Sequence, residues 1–94
     1  MSKIKKIQKA IEPVARQHNL KKVELFGSYA RGNNTFRSDI DLLVDFDNPE
    51  LTLFDVVRIK RDLEKSLRKK VDIIELGAEK NSFAIIDKVV PIYG

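Results

Sequence analysis

Apolar residues recur at Ile4, Ile7, Ile11, Val14 and Ala15, with Lys3, Lys5, Lys6, Lys9 and Arg16 mostly off that stripe, the spacing of an amphipathic helix. Pro13 falls inside it and removes one backbone donor, so a kink or two short helices are expected there. Asn19 is the expected terminator, since asparagine tolerates the left-handed conformation. KKVELF, residues 21–26, then reads as a strand ended by Gly27, and DIDLLVDF, residues 39–46, as a second. The polar NNTFRS between them supplies turn residues, which makes the two strands antiparallel neighbours. From Leu53 the helical spacing returns through Val56, Ile59, Leu63 and Leu67, with Thr52 as N-cap and Glu64 placed to pair with Arg68. Residues 52–69 form the second main helix. KVDIIEL, residues 70–76, is short and β-branched, a third strand that the preceding helix carries onto the same sheet. Residues 81–90, with Phe83, Ile86 and Val90, read as a last short helix before the PIYG tail. The pattern predicts an α/β (α+β) fold, a small mixed β-sheet with helices packed on one face.

The chain has 94 residues, the length of one domain with a modest core. Hydrophobic residues make up 43% and charged ones 34%, so it can bury a core and does not read as disordered. Lys and Arg number 18 against 14 Asp and Glu, a balance of +4 that favours anionic partners such as nucleotides without naming one. The basic segment from Arg58 to Lys70 wraps around its helix and lacks interleaved aromatics, so a dedicated RNA platform is the minority reading, and neither a DNA nor a membrane partner is expected. With no cysteine there is neither a disulfide framework nor a thiolate metal site. No apolar run approaches the roughly 18 residues of a membrane span, and MSKIKKIQKA lacks a signal peptide's apolar region, which predicts a cytoplasmic protein.

Side chains on a strand alternate faces, so Asp39 and Asp41 point the same way with Cα atoms ~6.6 to 6.8 Å apart, while Ile40, Leu42 and Val44 point to the other side. Two like charges that close raise each other's pKa unless a cation sits between them, and Mg²⁺ is the cation that carboxylates and phosphates jointly prefer. A solvated polar strand face is the competing reading. Asp72 lies in an otherwise apolar strand, either as a partly exposed edge residue or as a third carboxylate converging on the pair, the arrangement that clamps two metal ions about 3.5 to 4 Å apart. Gly27 lets the backbone approach a bulky anion and Ser28 offers a hydroxyl and an amide, though an ordinary tight turn would look the same. Arg31 either reaches a phosphate or is simply exposed. Asp45 and Asp47 continue towards the strand end, where solvated charge is expected, and His18 reads as a cap or surface residue.

LFGSYARG, residues 25–32, followed by SDIDLLV, residues 38–44, resembles the signature of the nucleotidyltransferase superfamily that includes DNA polymerase beta. More narrowly the chain resembles the minimal nucleotidyltransferase (MNT) domains, the MntA-like antitoxins, over nearly its whole length as a single domain, residues 1–94. The resemblance implies that Gly27 and Ser28 hold a triphosphate, with Arg31 beside them, and that Asp39, Asp41 and Asp72 bind two Mg²⁺ ions. It implies transfer of a nucleoside monophosphate from ATP to a hydroxyl. The implied acceptor is a tyrosine of a HEPN-domain ribonuclease toxin, which the chain would silence within a hetero-oligomer. Two alternatives stay open: a non-catalytic interaction protein that neutralises its partner by binding, and a nucleotide- or RNA-binding module.

Overall fold

A computed structural model describes residues 3–78, 86 and 88–94. The first helix, α1, runs over Lys3–Gln17 as one element with Pro13 inside it, in place of two short helices. The reason lies in where the missing bond falls: Lys9, whose carbonyl loses its helical donor, and Pro13 are both exposed, so water can serve that carbonyl. Ile7, Ile11, Val14 and Ala15 form the buried stripe. Asn19 ends the helix as expected, at a φ of 55°. Leu20 N–H donates to the Ala15 carbonyl at 2.9 Å and Asn19 N–H to that of Arg16 at 3.3 Å, the paired bonds that close a helix around a left-handed residue.

Strand β1, Lys22–Phe26, leads directly into a one-turn helix, α2, Gly27–Arg31, which the sequence pattern did not signal because five residues are too few for a helical period. Strand β2, Ile40–Asp45, returns antiparallel to β1. Helix α3, Leu53–Leu67, starts at Thr52 with a reciprocal capping box between Thr52 and Asp55, and carries the chain to β3, Val71–Glu75, which pairs parallel with β2. Glu64 does not pair with Arg68: its carboxylate accepts the Val71 N–H at 3.0 Å and ties α3 to the start of β3.

The last strand, β4, Val90–Tyr93, pairs antiparallel with β1. Most of the expected helix at 81–90 lies outside the described residues, but its end is corrected, since Val90 opens a strand. Pro91 argues against a strand by lacking an N–H, a loss that an edge strand tolerates. The sheet is mixed, in the order β3-β2-β1-β4.

Val23, Leu25, Ile40, Leu42, Val44, Val71 and Ile92 from the sheet join Ile11 of α1 and Ile59 and Leu63 of α3 in one core. Helices α1 and α3 thus share one face of the sheet, and their contact is fastened by Ser66 Oγ donating to the Ala10 carbonyl at 2.6 Å. The pairing of His18 Nε2 with Asp62 Oδ2 at 2.7 Å adds a second fastening. His18 is therefore structural. Among the described residues, no helix is long and apolar enough to cross a membrane.

Candidate active site

The alternation that sends Ile40, Leu42 and Val44 into the core turns Asp41 to the opposite face of β2. Register then decides its neighbours. Phe26 is the Cα partner of Asp41 on one side and Asp72 on the other, so the central carboxylate lies between the end of β1 and the start of β3. Immediately after Phe26 comes Gly27, at a φ of 74°. A Cβ there would lie 2.9 Å from the Asp41 Cγ and 3.2 Å from its Cβ, in overlap with the carboxylate, so glycine is required by both its conformation and the space. Ser28 follows, half-buried in the first turn of α2.

Electrostatics bring four predicted residues together. The Asp41 carboxyl is raised from 3.8 to about 6, first by partial burial, then by the charges of Asp72 and Asp39 and by a hydrogen bond with Asp72, against the opposing pull of Arg31. Asp39, Asp72 and Arg31 are themselves exposed at the rim. Asp45 takes no part: its Oδ1 accepts the Asp47 N–H at 3.0 Å in a local turn, as the reading of solvated charge anticipated.

Lys69, grouped with the basic helix surface on sequence grounds, has a more specific place. Its Nζ donates to the Phe36 carbonyl at 2.9 Å and the Ser38 carbonyl at 3.2 Å, and lies 5.8 Å from the centroid of the Tyr29 ring. One cation thus spans the segment that ends at Asp39 and the helix that carries Ser28. That segment is further shaped by Ser38 Oγ accepting the Thr35 N–H at 2.9 Å and by Ser38 N–H donating to the Thr35 carbonyl at 3.1 Å. Nothing in the local sequence distinguishes Lys69 from its neighbours. Only the parallel pairing of Ile40 with Val71 brings the residues before each strand side by side.

The polymerase beta nucleotidyltransferase family matches residues 6–93. The chain belongs to that family. Among its nucleotidyltransferase relatives, a Methanocaldococcus jannaschii homologue assigned as a protein adenylyltransferase is 42% identical over 71 residues, 76% of this chain and 75% of that protein. The protein adenylyltransferase MntA of Thermococcus cleftensis is 35% identical over 66 residues, 69% of this chain and 65% of its own length. A solved complex of a tri-AMPylated Shewanella oneidensis HEPN toxin with its MNT antitoxin matches with a TM-score of 0.66 at 20% identity, covering 97% of this chain and 72% of that one. At that identity the likeness is one of fold.

The donor set of this nucleotidyltransferase suits a hard divalent cation. Every candidate ligand is a carboxylate oxygen, and the pull of Arg31 on Asp41 is too weak to restore its ordinary pKa. Among the described residues no three His, Cys, Asp or Glu side chains stand together as a group that could hold a metal ion.

Because the folded-state pKa of Asp41 lies above its ordinary value, the native state binds this proton more tightly than the unfolded chain. Its contribution to stability is full below pH ~3.8 and lost as pH rises through about 6. Without divalent cations, Asp41→Asn is therefore expected to raise the thermal midpoint at pH 8, by an amount that shrinks towards pH 5. A midpoint lowered at pH 8, or a difference independent of pH, contradicts the assignment of repulsion at this site.

Proposed function

We propose that the chain is a Mg²⁺-dependent protein adenylyltransferase that moves AMP from ATP to a tyrosine hydroxyl of a HEPN-domain toxin in the cytoplasm, and so acts as its antitoxin. The observation that carries this reading is the coupling of the Asp41 carboxyl to the charges of Asp39 and Asp72, with Gly27 packed against it, in a chain whose relatives include protein adenylyltransferases. In this reaction the acceptor oxygen forms a bond to the α-phosphorus, the bond from that phosphorus to the bridging oxygen of the β-phosphate breaks, and pyrophosphate leaves with the electron pair. Two Mg²⁺ ions, when bound, would supply charge neutralisation at the triphosphate and at the attacking oxygen.

The chain's own residues do the positioning. Asp39, Asp41 and Asp72 would hold the ions, and Asp72 would accept the acceptor's proton as a base. Gly27 admits the triphosphate to the backbone, Ser28 donates hydrogen bonds to its oxygens, and Arg31 adds positive charge on the same side. Lys69 acts one step removed, fixing the Phe36–Ser38 segment and with it Asp39.

A second reading, neutralisation by binding alone, is favoured by the exposure of Leu53 (77%) and Phe54 (81%) at the start of α3, an apolar surface on which a partner could rest. The two readings separate by mass spectrometry of the toxin after incubation with the chain, ATP and Mg²⁺. Transfer predicts a gain of one AMP or more, reduced by about a hundredfold in rate in Asp41→Asn. A toxin that stays unmodified yet is silenced by that variant would establish binding as the mechanism.

Lys69→Met is expected to raise the Mg²⁺ concentration for half-maximal transfer by about 10- to 100-fold, with Lys69→Arg recovering part of the loss. An unchanged Mg²⁺ requirement would remove Lys69 from the site's support.

A further inference from the structure

On the helix side of the sheet, the N-terminal turns of α1, the end of α3 and the segment before Asp39 enclose an open cleft of about 520 Å³. Lys3, Lys6 and Lys69 line it, and among the described residues no carboxylate does. Ile7 and Leu67 give it an apolar floor, while Tyr29 and Phe36 form a wall. Phe36 is 82% exposed, an uncommon position for a phenylalanine. The Tyr29–Phe36 wall belongs to the same two segments that carry Ser28 and Asp39, so an occupant of the cleft would lie beside the reacting groups' own supports.

We infer that this cleft docks an acidic peptide segment bearing an apolar or aromatic anchor, contributed by the protein that receives AMP. The volume falls in the range of small-ligand and side-chain pockets, far larger than a single ion needs. Charge complementarity selects the sign: three lysines without a carboxylate favour Asp and Glu in the occupant. The apolar floor selects the anchor. RNA fits less well, because base stacking needs open aromatic faces. Lys69 lies over the Tyr29 ring, which leaves Phe36 as the one open ring in the cleft wall. The inference rests on the proposed function only for the origin of the segment, since docking requires no catalysis.

The test is fluorescence anisotropy of the full chain, without ATP, against a short fluorescein-labelled peptide rich in Asp and Glu around one central tyrosine. Binding is expected to weaken by about tenfold or more in the double variant Lys3→Glu, Lys6→Glu, and by a smaller factor in Lys3→Gln, Lys6→Gln. It should also weaken when alanine replaces the peptide's tyrosine. Both lysines are exposed, and an unchanged thermal midpoint confirms that the variants fold. No binding by the wild type, binding indifferent to both double variants, or tighter binding of a single-stranded RNA oligonucleotide at the same ionic strength would overturn the inference. A wild-type chain that binds the peptide but transfers no AMP to any acceptor would sink the proposed function and leave the cleft standing.

Discussion

Everything at the candidate site depends on the register of β2. Its apolar residues Ile40, Leu42 and Val44 are fully or almost fully buried against α1 and α3, and burial of that set holds Asp41 on the other face. A slip of one residue would send the acidic set into the core and the apolar set to the surface, so the hydrophobic effect and the cost of burying charge select the same pairing. That pairing then places Phe26 and Asp72 on either side of Asp41. Packing energy is in this way converted into the close approach of charges that repel one another.

The repulsion is part of what the fold stores. Partial burial and the Asp72 and Asp39 charges together lift the Asp41 carboxyl to about 6, and Arg31 offsets only some of the effect. Gly27 makes the crowding possible, since it withholds a Cβ where one would strike the Asp41 carboxylate. Lys69 supplies the complementary restraint on the approach to Asp39 by holding two backbone carbonyls of an exposed segment. The crowded acidic centre and the cationic brace set outside it lie within the stretch that matches the nucleotidyltransferase family.

Much of this was legible in the sequence, for identifiable reasons. Period-two alternation in DIDLLV declares both the core face and the acidic face of β2, and the helical stripes of α1 and α3 are long enough to carry an unambiguous period. Thr52 and Asn19 announce helix ends through chemistry that acts within a turn of the chain. What escaped depends on contacts distant in sequence or on elements too short to repeat. Strand β4 is four residues with Pro91 among them and exists because the edge of β1 accepts it. The role of Lys69 appears only once β2 and β3 lie parallel, and Glu64 finds the Val71 N–H in preference to Arg68 for the same reason. Pro13 does not split α1 in two, since the carbonyl it orphans lies at an exposed position where water can serve it.

The claim on which the account turns is that Asp39, Asp41 and Asp72 hold the metal ions of a nucleotide-transfer site. Electron paramagnetic resonance of Mn²⁺ titrated into the chain with a non-hydrolysable ATP analogue measures that directly. The account predicts two bound ions per chain in the wild type, one of them lost in Asp72→Asn and both lost when Asp39 and Asp41 are replaced by asparagine. The same number of bound ions in the wild type and in the triple asparagine variant would contradict it.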